Sequence, residues 1–193
     1  WKRRGENGNS GGPRMKPLSG KKVLFVICQK DFRDEELAHP REELSAAGAE
    51  TFVAAREKSP AKGMLGLTVQ PDLPIRDARA AEYDAVVAVG GRATPEWLWN
   101  DADLHRLLRE ANTEGKVVGG ICLSGATLAI AGLLSGVRAT CFTTEASRKE
   151  MEKGGAVFVD QRVVVSGRIV TANGPPAARE FGKALVEVLS RGK

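Results

Sequence analysis

A cysteine between a buried strand and a helix is the residue of this chain best placed to do chemistry. In Gly120-Ile121-Cys122-Leu123-Ser124, small residues stand two positions before and two positions after the thiol. This spacing is typical of a nucleophile held in a tight strand-to-helix turn. The helix predicted to begin near Ser124 directs its positive end at the sulfur, which favours the thiolate and lowers the thiol pKa. The alternative is a small apolar residue that closes a buried strand.

A carboxylate and a pair of glycines follow two other predicted strands. Glu36 lies in the first turns of a helix that comes soon after the strand ending at Cys28. A partly buried carboxyl there would have a raised pKa and would donate a hydrogen bond to a thiolate, although acids in a first helical turn also complement the helix dipole. Gly90-Gly91 follows another strand, either as an ordinary turn or as a bare backbone N–H offered to a developing oxyanion.

The elements that carry these residues alternate between short apolar strands and helices. Strand-like runs such as KKVLFVIC, YDAVVAV and KVVGGIC are each followed by a helical segment. Continuous hydrophobic runs indicate strands buried on both faces, so the pattern predicts an α/β fold with a mostly parallel sheet sandwiched by helices. The more irregular LGLTVQPDLPI is predicted to form a short antiparallel ribbon on one edge. Ligands bind at the carboxyl ends of such strands, so Cys122, Glu36 and Gly91 are expected to meet there.

Length, composition and charge favour one domain preceded by an extension. Residues 1–20 of the 193 are rich in Gly, Pro and charge without apolar periodicity, and they are predicted to be flexible, with residues 21–193 as the folded domain. Residues 1–22 hold seven Lys and Arg side chains against one Glu, which gives +6 in a chain whose net charge is +5. The domain itself is thus close to neutral, which predicts no nucleic-acid partner.

Hydropathy and cysteine usage exclude further classes of protein. No apolar run reaches the roughly 18 residues of a membrane-spanning helix, so we expect no membrane association and a cytoplasmic location. Cys28, Cys122 and Cys141 are odd in number and lack metal-ligand spacing. Neither a disulfide scaffold nor a metal or other cofactor is predicted.

Three segments carry a resemblance to a known family: KKVLFVICQKDFRDEELAHP, YDAVVAVGGRATPEWL and GKVVGGICLSGATLAIAGLLSG. They resemble the ThiJ/PfpI superfamily of flavodoxin-like proteins, most of all PfpI-type intracellular peptidases, from about Lys21 to the final helix. The resemblance implies that Cys122 is the nucleophile and Glu36 its protonated partner, with the backbone N–H groups of Gly91 and Leu123 as oxyanion donors. It also implies a homo-oligomer, a dimer or larger, with Glu96 matching a glutamate that relatives place across a subunit interface.

The chain departs from the family at its histidines. PfpI-type peptidases have a histidine directly after the cysteine, where this chain has Leu123, and the deglycase branch keeps one where this chain reads Thr140-Cys141-Phe142-Thr143. His39 lies three residues beyond Glu36, on the same helical face, and is a possible replacement. His105 is predicted on the exposed side of a helix. Trp97 and Trp99 are expected beside the entrance to the site, as helix packing or as a subunit contact.

Three activities on a small-molecule or peptide substrate fit these residues. The first is a cysteine hydrolase of the PfpI type, acting on peptides or amides through Cys122 and Glu36. The second is a glutathione-independent glyoxalase or protein deglycase acting on aldehydes of the methylglyoxal type, which asks less of an imidazole. The third is a non-enzymatic stress protein in which peroxide oxidises Cys122 to a sulfinate.

Overall fold

A computed structural model describes residues 15–192, so most of the predicted flexible extension lies outside the described residues. The segment just before the first strand is packed, because Leu18 is fully buried and its N–H donates to the Ala47 carbonyl at 2.9 Å. The packed part of the chain therefore begins before residue 21.

Strands and helices alternate along most of the chain, as the hydrophobic pattern indicates. The strands are β1 (Lys22–Val26), β2 (Lys30–Phe32), β3 (Glu50–Ala55), β4 (Ala61–Gly63), β5 (Thr68–Val69), β6 (Leu73–Pro74), β7 (Ala85–Ala88), β8 (Val117–Ile121), β9 (Arg138–Ala139), β10 (Val157–Phe158), β11 (Val163–Ser166) and β12 (Ile169–Ala172). The helices are α1 (Asp34–Ala46), α2 (Thr94–Trp97), α3 (Ala102–Thr113), α4 (Ser124–Ile130), α5 (Glu145–Lys153) and α6 (Ala178–Ser190). Three short 3-10 helices span Ile75–Asp77, Ala80–Glu82 and Pro175–Ala177.

Seven strands form the main sheet, in the order β11-β12-β8-β7-β1-β3-β6. All neighbours pair in parallel except β11 and β12, which form an antiparallel edge. The predicted mostly parallel sheet is confirmed. The predicted edge ribbon divides differently, because β5 pairs antiparallel with β4 in a small separate sheet, whereas β6 joins the main sheet in parallel with β3.

Helices cover both faces of the sheet. Successive residues of a strand point to opposite faces, and the two glycines of β8 show which helix lies on each side. A Cβ on Gly119 would meet Phe181 of α6 at 3.0 Å, whereas one on Gly120 would meet Leu128 of α4 at 3.0 Å. The glycines thus let α6 and α4 approach β8 closely from opposite faces.

The parallel order fixes the location of the site. β1, β7 and β8 are adjacent and parallel, so their carboxyl ends lie side by side at one edge. The ends of β7 and β8 lead to Gly90 and Cys122 respectively, and the chain after β1 leads through β2 to Glu36.

Within residues 15–192, no helix is long and apolar enough to cross a membrane.

Candidate active site

Cys122 occupies the predicted elbow between β8 and α4, in a backbone conformation that is unusual for its residue type. Its φ is +61°, in the left-handed region that costs a residue with a Cβ about 1–2 kcal/mol. Hydrogen bonds on both sides hold the turn: the Cys122 N–H donates to the Ala172 carbonyl at 2.8 Å, and the Phe142 N–H donates to the Cys122 carbonyl at 3.0 Å. Neighbouring segments therefore hold the thiol in a strained turn.

The small residue before the cysteine is required by space. A Cβ on Gly120 would lie 2.6 Å from the Ser124 carbonyl oxygen. On the other side, the Ser124 hydroxyl donates to the Val89 carbonyl at 2.8 Å and ties the start of α4 to the end of β7. The spacing seen in the sequence thus has a direct steric cause.

Glu36 is fully buried in the first turn of α1, and the neighbouring acids of that turn have other partners. Asp34 accepts hydrogen bonds from the N–H groups of Leu65 and Leu67, and Glu35 forms an ion pair with Arg33. Neither carboxyl oxygen of Glu36 has a partner with normal hydrogen-bond geometry among residues 15–192. A buried carboxyl without such partners is stable only when it keeps its proton or finds a ligand.

Gly90 marks the point where the carboxyl and the thiol approach each other. A Cβ on Gly90 would lie 2.7 Å from both Glu36 Oε1 and Cys122 Cβ. The absence of a side chain at this position therefore leaves the space in which the two groups face each other.

Burial dominates the proton chemistry of this pair. Burial raises the pKa of Glu36 to about 8, and the Cys122 thiol beside it acts in the opposite direction to a smaller extent. Burial also raises the pKa of Cys122, and a negative charge on Glu36 raises it further, while the N–H groups of Leu123 and Gly91 lower it. The expected lowering of the Cys122 pKa is therefore wrong, because burial and the Glu36 charge raise it more than the N–H groups of Leu123 and Gly91 lower it.

The two groups must be treated as one titrating unit. While Glu36 keeps its proton, the charge that opposes the thiolate is absent, and the N–H groups of Leu123 and Gly91 still favour a negative sulfur. Gly91 has φ +135°, and a Cβ there would collide with the Asp31 carbonyl oxygen. Glycine is thus required for this N–H to face the sulfur.

A cavity of about 330 Å³ opens beside the sulfur. Its apolar walls come from four different segments of the chain. The residues that line it are Arg33, Met64, Gly91, Arg92, Cys122, Leu123, Phe142, Thr144 and Pro175. One of these residues, Phe142, belongs to segment 140–143, in which the resemblance implies a histidine that this chain lacks.

The other predicted residues are not part of the cavity lining. His39 is half-buried on α1 beside Glu35 and Glu42, and its part in the reaction stays a prediction. Glu96 is exposed on α2, and neither residue is among those that line the cavity. The prediction of an exposed His105 is wrong: the side chain is half-buried, and burial lowers its pKa.

Trp99, expected beside the entrance to the site, is buried and contacts the elbow turn itself. Its indole N–H donates to the Leu123 carbonyl at 3.1 Å, inside the protein. Trp99 follows Gly91 in the segment after β7, so the indole ties that segment to Leu123. Trp97 is different, because its ring lies under Arg56 at 4.3 Å. The only signal in the sequence was an aromatic residue shortly after the Gly-Gly turn.

Comparison with known proteins shows the family to which the chain belongs. The sequence profile of the DJ-1/PfpI family matches residues 21–188. The deglycase PfpI of Pyrococcus furiosus is 33% identical over 168 residues, which cover 87% of this chain and 99% of that protein. The glutathione-independent glyoxalase DJR-1.2 of Caenorhabditis elegans is 28% identical over 169 residues, 88% of this chain and 89% of that protein.

Among solved structures, a ThiJ/PfpI domain protein from Brachyspira murdochii superposes with a TM-score of 0.84 at 35% identity, over 90% of this chain and 100% of that one. The profile match and the relatives agree over nearly the whole domain. The chain belongs to the DJ-1/PfpI family, and its sheet and helices form the flavodoxin-like α/β fold of that family.

Proposed function

We propose that this protein is a glutathione-independent glyoxalase that converts 2-oxoaldehydes into 2-hydroxy acids and acts on related glycation adducts. The observation that carries the proposal is the buried Glu36 carboxyl facing the Cys122 thiol. Leu123 and Phe142, which line the cavity, belong to the two segments in which the resemblance implies a histidine. Relatives named deglycase and glyoxalase support this activity rather than the peptide hydrolysis that the sequence blocks first favoured.

The reaction needs one nucleophile and one group that moves a proton. Cys122 first loses its thiol proton to water. The thiolate sulfur then forms a bond to the aldehyde carbon, the carbonyl electron pair moves to oxygen, and the protonated Glu36 gives that oxygen its proton. The N–H groups of Gly91 and Leu123 would stabilise the developing oxyanion. The product of this step is a hemithioacetal, and Glu36 is left as a carboxylate.

The carboxylate then acts as a base. It takes the proton from the former aldehyde carbon, which gives an enediol, and returns it to the neighbouring ketone carbon. The hydroxyl proton passes from the former aldehyde oxygen to the former ketone oxygen, which leaves a thioester of a 2-hydroxy acid. Water cleaves the thioester and restores the thiol. The aldehyde carbon is oxidised and the ketone carbon is reduced within the same molecule, so the overall change is addition of water and needs no cofactor. A Glu36 pKa of about 8 suits both the acid and the base step near neutral pH.

Peptide hydrolysis makes a demand that this cavity meets less well. An amide leaving group must be protonated, and general acid help of this kind contributes about 10²–10⁴-fold. The lining residue that follows the cysteine is Leu123, and the side chain after Cys141 is Phe142. Glu36 would have to serve both the thiol and the leaving amine.

The compartment and the oligomeric state of the protein are also proposals. The three cysteines are free and buried, which supports a reducing compartment such as the cytoplasm.

A homo-oligomer is proposed from the resemblance, with exposed Glu96 and the half-buried Trp97 at the contact. Sedimentation of the purified chain at micromolar concentration tests it, and a monomer alone would contradict it.

The experiment offers the protein one substrate for each activity. Purified chain is incubated with methylglyoxal, followed by NMR for lactate, and separately with a fluorogenic peptide, with Cys122→Ser as control. Lactate formed by the wild type and not by the variant supports the proposal. Peptide cleavage without lactate would favour the hydrolase, and unchanged substrates with stoichiometric oxidation of Cys122 by peroxide would favour the stress protein.

A further inference from the structure

Four apolar side chains surround the thiol, each from a different part of the chain. Met64 follows β4, Leu123 begins the elbow turn, Phe142 follows β9, and Pro175 begins the last 3-10 helix. The Phe142 side chain is 45% exposed although it is a large apolar ring. Because the ring lines the cavity beside Cys122, its unburied surface is available to a ligand in that cavity.

The charged and hydroxyl side chains of the same cavity have partners within the protein. Arg33 forms an ion pair with Glu35 at 2.7 Å, and Arg92 forms one with Asp31 at 3.0 Å. The Thr144 hydroxyl accepts a hydrogen bond at the start of α5, where it caps the helix. The charges of both arginines are therefore paired within the protein, and the Thr144 hydroxyl is used by the helix. The polar groups directly beside the sulfur are the Glu36 carboxyl and the N–H groups of Leu123 and Gly91.

The volume of the cavity leaves room for a substrate larger than methylglyoxal. Its volume of about 330 Å³ equals the space of roughly eleven water molecules in the liquid, far more than a three-carbon oxoaldehyde fills. In a 2-oxoaldehyde, the carbon attacked by sulfur is directly bonded to the ketone carbon. The substituent on that ketone carbon therefore lies within this cavity, whose lining includes Met64 and Phe142.

We propose that the site selects 2-oxoaldehydes whose ketone carbon bears an aromatic or branched apolar group, and that Phe142 is a specificity-determining residue. The proposal rests on the glyoxalase function proposed above and adds no chemical step to it. Binding such a group covers the exposed face of Phe142 and the Met64 side chain. The hydrophobic effect then favours the larger substrate over methylglyoxal.

The first experiment measures kcat/KM for phenylglyoxal and for methylglyoxal. We expect the wild type to prefer phenylglyoxal by at least about tenfold, in line with what apolar pockets achieve. Phe142→Ala is expected to lower this ratio at least about fivefold, and Met64→Ala to lower it in the same direction. Phe158→Ala is the matched aromatic control, because that ring lies under Arg148 outside the cavity, and it should leave the ratio unchanged. A wild type without preference, or a ratio unaffected by both cavity variants, would overturn the proposal.

A second experiment separates this proposal from the glyoxalase function. The rate of Cys122 alkylation by 2-bromoacetophenone is compared with that by bromoacetone, by mass spectrometry, with glutathione as the reference thiol. Cys122 should favour the aromatic reagent more than glutathione does, and Phe142→Ala should remove the difference. If neither aldehyde is turned over but this preference is found, the glyoxalase function is wrong and the apolar subsite stands. If Cys122 and glutathione show the same preference, the subsite is wrong, whatever the enzyme turns over.

Discussion

Two cysteines at the ends of parallel strands show what makes one of them a site. Cys28, which follows β1, is fully buried with its sulfur 4.0 Å from the Thr94 hydroxyl, and burial raises its pKa to about 12. Cys122, which follows β8, is nearly as buried, but its backbone has φ +61° and its thiol opens on a cavity. Similar burial thus gives two different environments.

The difference lies in what faces each sulfur. A hydroxyl beside Cys28 cannot take or give a proton near neutral pH, whereas Glu36 beside Cys122 has a pKa of about 8. The N–H groups of Leu123 and Gly91 also oppose the rise in the Cys122 pKa that burial causes. A buried thiol therefore becomes reactive through its partners rather than through its position at a strand end.

The largest difference in turnover is expected between variants in which one or the other of the two cysteines is replaced by a residue without sulfur. Cys122→Ser should lower turnover of methylglyoxal by on the order of 10³-fold or more, because no other group can form the thioester. Cys28→Ala should leave turnover nearly unchanged, with a loss of stability of about 1 kcal/mol. Steady-state kinetics and urea unfolding measure both, and equal losses of activity in the two variants would contradict the comparison.

Replacement of Glu36 by Gln should lower turnover by about 10²–10⁴-fold, because the amide cannot exchange a proton.

The same substitution should also change the dependence of the free energy of unfolding on pH. Burial raises the pKa of Glu36 from 4.5 in the unfolded chain to about 8 in the folded protein, so the folded state binds the proton more tightly. The contribution of Glu36 to stability is then present below pH 4.5 and is lost as the pH rises towards 8.

The wild type should accordingly lose up to a few kcal/mol relative to Glu36→Gln between those two pH values. Urea unfolding of both proteins at intervals of pH measures this difference. Parallel stability curves would show that Glu36 is already ionised in the folded protein.

Gly90→Ala should disturb Cys122 and leave Cys28 intact. The added methyl group would lie 2.7 Å from Cys122 Cβ and Glu36 Oε1, so one of the two must move. We expect a loss of stability of about 1–3 kcal/mol, as for overpacked cores, and a loss of most of the turnover. Full activity with unchanged stability would show that the carboxyl and the thiol do not meet at this glycine.

The smallest expected effect concerns Trp99. Trp99→Phe keeps the ring and removes the N–H that donates to the Leu123 carbonyl. A neutral hydrogen bond contributes about 0.5–1.5 kcal/mol, which corresponds to a fall in kcat of about twofold to tenfold with a shift in its pH profile. Trp97→Phe is the control, since that indole lies under Arg56 and not at the elbow. Equal effects of the two substitutions would remove Trp99 from the group of positioning residues.

The features of the fold and the site that depend on neighbouring residues along the chain could be predicted from the sequence. Apolar runs were enough for the parallel sheet, and the small residues around Cys122 were enough for the elbow, because both depend on neighbours along the chain. The sign of the thiol pKa shift depends on how completely the folded protein buries Cys122 and Glu36, and the pattern does not give that quantity. The contact of Trp99 with Leu123 depends on the path of a loop between β7 and α3, and the burial of Leu18 depends on the turn after α1.

The pH dependence of Cys122 alkylation by iodoacetamide, in the wild type and in Glu36→Gln, tests the shared proton most directly. Alkylation follows the thiolate, and the proton lost near pH 8 is that of Glu36, so the account predicts that the wild-type rate rises only well above pH 8, against burial and the Glu36 charge. Glu36→Gln, which never carries that charge, should reach the same rate at lower pH. Identical single steps near the free-cysteine pKa of about 8.5 in both proteins would contradict a coupled thiol and carboxyl.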